Sequence, residues 1–299
     1  NALSSDQLSA LSSAQVAVLT SAQLSALPTD QVPNFSTSQM QALTTSVLAT
    51  LASDDLNAFT SDQFAALTTA QISALTSRQV STLEADDLGA LGTSQIQALG
   101  TAAIKAMDSA DFAALSSAQV VALTSAQVAA IDTADISALA TDAIATFSSS
   151  AIAGLTTAQF RALGTDQLAA IGTAQLQGLS TAQLVALASD DLNALSSDQF
   201  AQLTTAQVAA LTSVQFSKLQ SEDLAALTSE QLRAVGTAAM AALDSDDLAA
   251  LTSAQVAALT TEQLRTYNTS DLQGLSTDAI TGMGTAQVAS LTSAQITSL

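Results

Sequence analysis

The chain has no cysteine and no histidine among its 299 residues. Without thiols it can build neither a disulfide framework nor a thiolate metal site. Without imidazole it lacks the commonest general base and the commonest zinc ligand. Tryptophan is absent, tyrosine occurs once, and aromatics make up 3% of the residues. Basic residues number six against 26 acidic ones, for a net charge of −20. Such a chain repels phosphate backbones, so no nucleic-acid partner is expected. Long apolar runs are missing too, because Ser, Thr or Gln recurs every few positions. A membrane-spanning helix needs about 18 or more consecutive apolar residues, so no membrane insertion is expected. The first residues show no signal-peptide pattern.

What remains is still apolar. Hydrophobic residues reach 48% and charged residues only 11%, the reverse of a disordered composition. The order of these residues is periodic. After Asn1, Ala2 and Leu3 the chain reads as 37 octads without an insertion or deletion, from Ser4–Leu11 (SSDQLSAL) to Thr292–Leu299 (TSAQITSL). With the positions numbered 1 to 8, position 5 is always apolar and position 8 always apolar or aromatic. Position 7 is mostly Ala, and position 2 is Ser or Thr everywhere except Ala85. Position 4 is Gln in 23 octads, Asp in 8, and Ala or Val in 6.

One continuous helix cannot bury this pattern. Eight residues advance about 80° past two full turns, so the apolar stripe would wind around the axis. The helix is expected to break once per octad, between positions 8 and 1. Position 1 is Ser, Thr, Asp, Asn or Gly in 31 octads, the residues that cap helix N-termini. Gln three residues on completes a capping box, and the apolar residues at positions 8 and 5 have the spacing of a hydrophobic staple. All 11 glycines fall at positions 6, 7 or 1, where a helix ends and the chain turns. All 26 acids lie at positions 1, 3 and 4, and five of the six bases (Lys105, Arg161, Lys218, Arg233, Arg265) at positions 6 or 7. That sorting complements a short helix dipole. Arg78, at position 3, is the exception.

These features predict an all-α solenoid of 37 short helices of six or seven residues, with a β-solenoid as the alternative. Ala, Gln and Leu are poorer strand formers than β-branched or aromatic residues. A helix that short is unstable alone, so positions 5, 7 and 8 must pack against neighbouring coils. Ala at position 7 allows close approach. The octad PTDQVPNF, with Pro28 and Pro33, reads as an irregularity. The number of octads per turn is not readable. The position-2 hydroxyl has two open readings, a substitute cap or a bond to the next coil.

A longer period overlies the first. Asp occupies position 4 at residues 55, 87, 111 and 135, and the same pattern returns 17 octads later at 191, 223, 247 and 271. The chain is therefore one continuous array over 1–299, with residues 52–187 a full super-repeat, 4–51 the end of one, and 188–299 part of the next. An opening that matches the end of an octad, with no atypical end units, reads as a window on a longer array or filament.

Candidate chemistry is sparse. The acidic pairs Asp54–Asp55, Asp86–Asp87, Asp190–Asp191, Glu222–Asp223 and Asp246–Asp247 suggest Ca²⁺. They lack the alternating ligands and glycine of a calcium loop, so first-turn dipole complementation is favoured and weak sites shared between coils are the alternative. The Ser and Thr rows are favoured as caps over ordered-water faces, and the Gln column as capping boxes over an amide ladder. The eight Phe occupy positions 5 and 8 and read as core. With no His and only Lys105 and Lys218 as lysines, no catalytic residue, enzyme activity or cofactor is expected.

Stretches such as LTSAQVAALTTEQL resemble the octapeptide-repeat tracts (L-T/S-x-x-Q-apolar-x-x-L) of very long bacterial secreted or surface proteins. The resemblance covers the whole chain, and it implies an adhesin stalk or extracellular fibre without implying a site. A structural fibre, filament or stalk at the cell surface, with end-to-end or lateral self-association, is the expected function. The alternative is a binding or adhesion scaffold for a protein or glycan, possibly stiffened by Ca²⁺. Recognition surfaces usually need aromatics and Arg, whereas positions 3 and 6 carry mainly Ala, Ser and Asp.

Overall fold

A computed structural model describes residues 4–299. Its described residues are helical, with one short helix per octad and no strand among them. The β-solenoid alternative is therefore overturned. Backbone hydrogen bonds run within each short helix, leaving no extended ladder to pair.

The helices start at position 2 and run four to six residues, shorter than the spacing suggests. Position 1 is the N-cap with extended backbone, as at Thr124 (φ −72°, ψ 157°). Its hydroxyl accepts the position-4 N–H in most Ser- and Thr-capped octads; Thr124, for example, accepts from Gln127. Pro28, Ala52, Ala140 and Gln220 at this position give no side-chain cap bond. The octad with Pro28 and Pro33 forms a 3₁₀ helix, Thr29–Asn34, in place of an α-helix. Pro33 lies inside it and lacks the N–H that an α-turn needs.

The turn between helices uses no left-handed residue. No described residue, glycine included, has positive φ. Instead, position 8 adopts an extended conformation (Ile131, φ −59°, ψ 135°), and the next N-cap is extended too. Two extended residues in succession form each corner. Glycine at position 1 serves as an N-cap of ordinary φ, as at Gly92 (−72°).

The described residues form two compact units, one ending at Leu155 and the other spanning Thr156–Leu299. Inside each, a helix packs on the third helix before and after it. In the first, Ser61–Ala66 packs on Ala85–Ala90, which packs on Ser109–Ala114. In the second, Thr205–Ala210, Ser229–Ala234 and Ser253–Ala258 stack the same way. One coil is therefore three octads, with a helix on each side and a corner between sides. Position 5 points to the axis and is fully buried away from the C-terminal end, as at Leu48, Phe64, Leu232 and Val256, while Val288 and Ile296 at that end are exposed; position 8 fills the corners. Phe59 and Phe64 meet there with ring centroids 5.8 Å apart. Stacking is tight at two position-7 glycines. A Cβ on Gly154 would lie 3.3 Å from Ser125 Cβ, and one on Gly274 would fall 1.9 Å from the Ser245 carbonyl oxygen.

Candidate functional site

The most repeated polar arrangement joins one coil to the next. Gln at position 4 is buried in most octads past the first coil, for example Gln71 and Gln127 at 2% exposure, while Gln7, Gln15 and Gln23 are exposed. Its Oε1 accepts the N–H of its own N-cap, 2.9 Å from Thr124 N in the case of Gln127. Its Nε2 turns the other way and donates to two carbonyls of the preceding coil. Gln127 reaches Ile96 O and Leu99 O, both at 2.8 Å. Gln71 reaches Met40 O and Leu43 O at 2.8 and 2.7 Å. In the second unit Gln207 reaches Leu176 O and Leu179 O at 2.8 Å each. The acceptors in all three cases lie 31 and 28 residues earlier, at positions 5 and 8. There the helix ends, and its carbonyls can take a further donor; Ile96 O, for example, also accepts from Leu99 N.

One carboxamide thus caps the N-terminus of its own helix and the C-terminus of a helix in the coil before it. The capping box alone, favoured from sequence, describes half of what this side chain does. No amide-to-amide ladder forms between the Gln residues described; the link runs from amide to backbone. The sequence signal for it is the absence of Glu from position 4. Glu completes a capping box as well as Gln, but it has no N–H to donate.

Position 2 is settled in favour of the next coil wherever its bond is described. Ser61 donates to Asp87 Oδ1 at 2.8 Å, Ser109 to Asp135 at 2.6 Å, and Ser197 to Asp223 at 2.9 Å. Ser125 and Ser229 donate to the carbonyls of Ser150 and Ala254. Position 6 adds bonds that sequence reasoning misses. Gln41 Nε2 donates to Ala66 O, Asn57 Nδ2 to Thr82 O, Asn193 Nδ2 to Lys218 O and Arg265 Nε to Ser290 O, each 25 residues ahead.

The acidic pairs divide by position. Asp54, Asp86, Asp190 and Asp246, at position 3, are exposed. Asp55, Asp87, Asp191 and Asp247, at position 4, turn inward, with Asp87 buried and the others half-buried. Neighbours in sequence therefore face different surroundings. Among the described residues no group of three or more acidic side chains gathers as a metal site. Burial pushes the carboxyls of Asp87, Asp111, Asp223 and Asp247 above the ordinary aspartate range, and adjacent carboxylates push the same way. Asp108 and Asp244 act as N-caps, each accepting two backbone N–H groups. No described helix is long and apolar enough to cross a membrane.

A family model for the ALTTAQ repeat matches residues 1–29, 48–85, 80–114, 104–141, 128–165, 160–191, 184–221, 216–253, 240–266 and 268–299. The chain belongs to the ALTTAQ repeat family. Successive ALTTAQ matches begin at residues 80, 104 and 128, three octads apart, which is the length of one coil. The gap between 29 and 48 holds most of the proline-containing octad. No curated protein matches the chain.

Proposed function

We propose that this ALTTAQ repeat chain is a structural element of an extracellular or cell-surface bacterial fibre or stalk, serving as a spacer that carries load and associates with further copies. The observation that carries the reading is the Gln link. The same pair of buried bonds recurs from coil to coil, so tension applied to one coil is shared with the next through backbone carbonyls and apolar packing. Nearest-neighbour construction of this kind tolerates any number of repeats. The exposed positions 1, 3 and 6 carry mostly small or acidic side chains, which suits a hydrated, mutually repelling surface.

Cryo-electron microscopy of native material, combined with immunolabelling of intact cells, tests this. Surface-attached or released filaments whose subunit density follows a three-octad coil are expected. Label confined to the cell interior, or discrete particles that never associate, would overturn the proposal.

A further inference from the structure

Two asparagines break the rule that buried polar atoms find partners. Asn57 and Asn193 each donate through Nδ2 to a carbonyl of the next coil, at 2.6 and 2.7 Å, yet their Oδ1 atoms are buried without a hydrogen bond. Asp223 Oδ2 is likewise buried without one, on a side chain only 3% exposed. The other carboxyl oxygen of Asp223 is occupied, accepting from Ser197.

The register of the coils pairs these residues. A position-4 side chain lies over the position-6 residue thirty places earlier. Gln119, Gln199 and Gln255 each donate to the backbone carbonyl at that spacing (Gly89, Ala169 and Ala225). The Ser25 hydroxyl donates to the Asp55 carboxylate across the same interval. Asn57 precedes Asp87 by thirty, and Asn193 precedes Asp223 by thirty. Position 6 at this spacing before a position-4 Asp is Ser, Asn, Lys or Arg in seven of eight cases, the exception being Ala241 before Asp271.

An asparagine oxygen beside a carboxylate brings two acceptors together. Turning the asparagine amide over would only move the conflict to the Lys218 or Thr82 carbonyl. A single proton on the carboxyl removes it, because an O–H then donates to the asparagine Oδ1; at Asp223 the orphaned Oδ2 is satisfied by the same bond. We propose that Asp87 and Asp223 are proton-binding sites, each sharing one proton with the side-chain oxygen of the asparagine thirty places before it. The O–H of the acid stands in for the Nε2 donor that Gln supplies in other octads. The surroundings favour the neutral acid. Beside Asp223 stand Glu222 on its own helix, Asp198 on the helix Ser197–Gln202, and Asp244, Asp246 and Asp247 around the helix Ser245–Ala250; Lys218 is the nearby base in sequence. Around Asp87 the corresponding charges are Glu84 and Asp86, Asp62, and Asp108 and Asp111, with Arg78 the base. Burial raises both carboxyls in the same direction. Such a group adds stability while protonated and loses it as pH rises through its folded-state value.

The test uses the full chain and two charge-matched double variants, Asp87→Asn with Asp223→Asn, and the exposed control Asp86→Asn with Glu222→Gln. At a mildly acidic pH where exposed aspartates are ionised, infrared spectra of the wild type and the control should show a carboxylic-acid carbonyl band that is clearly weaker in the first variant, which keeps only the raised carboxyls of Asp111 and Asp247. Asparagine also supplies the missing donor permanently, so at neutral pH the first variant should melt about 2–4 °C above wild type and the control should not. No such band in the wild type, or a band of equal strength in the wild type and the first variant, overturns the proposal. So does a melting midpoint that sodium or calcium chloride raises more in the charge-matched control than in the Asn variant, since a metal cation then holds the oxygens together.

Discussion

The side chain of Gln127 bridges two coils: its Oε1 accepts from Thr124 N at 2.9 Å while its Nε2 donates to Leu99 O at 2.8 Å. The two ends of one amide have different chemical requirements, and substitutions separate them. Gln127→Glu keeps the capping box but sets a carboxylate against two carbonyls. Gln127→Ala removes both ends without adding a charge. Urea denaturation should place the Ala variant about 2–3 kcal/mol below wild type and the Glu variant about 3–5 kcal/mol below it. A Glu variant equal to wild type would reduce this residue to a cap.

Leu227 fills a corner at position 8 and is 2% exposed. Leu227→Asp buries a charge with no partner and should cost about 3 kcal/mol or more locally. Because each coil depends on its neighbours, the loss should open the array at that point. Limited proteolysis with a protease of broad specificity should cut near residue 227 in the variant and leave the wild type intact.

The glycines are expected to differ sharply. A Cβ at Gly274 collides with the Ser245 carbonyl, while one at Gly100 meets nothing within 4 Å. Gly274→Ala should destabilise by about 1–3 kcal/mol through overpacking. Gly100→Ser, which gains an N-cap hydroxyl, should stabilise by roughly a few tenths of a kcal/mol. Thermal melts of the two variants check both signs.

Tyr267 places its hydroxyl in the core without a partner, and burial pushes the phenol well above its ordinary range. Tyr267→Phe removes that polar atom and leaves the ring, so the variant should be as stable as wild type or more so by about 1 kcal/mol. A clear loss of stability in the melt would mean that the hydroxyl has a partner.

The acids at position 3 point outward and gather into no cluster of three or more among the described residues. Calcium is therefore expected to act only as a counterion. With a net charge of −20, the melting temperature should rise with ionic strength. Calcium chloride and sodium chloride at equal ionic strength should raise it equally, and chelation should reverse neither.

Much of the fold is legible from single positions. Ser or Thr at position 1 marks each helix start, since its hydroxyl reaches only the helix that follows it. The apolar residue at position 5 marks the axis. Three octads per coil are not legible, because the angle of each corner comes from the backbone at positions 8 and 1, which Leu-Thr and Leu-Ser pairs do not specify by side-chain type. Position 2 is half-legible. Its constancy shows a role, while its partner sits a coil away, as Ser61 to Asp87 and Ser125 to Ser150 show, beyond any local motif. Gln127 reads as a cap because that function lies within four residues, while its second bond reaches into another coil. The asparagines at 57 and 193 carry no signal of their own. Their significance appears only once the coil length pairs each with an aspartate thirty places on.

Gln39 and Gln127 alike donate to carbonyls that precede them by 28 and 31 residues. The array thus has a short memory. A coil needs only the coil before it to satisfy its position-4 amides, and nothing from the distant remainder of the chain. As synthesis delivers the chain from its N-terminus, each new turn arrives on a finished template whose open carbonyls already match it. Contacts this near in sequence close quickly. Growth by addition at one end lets such a protein be made very long without ever exposing more than about one unfinished turn.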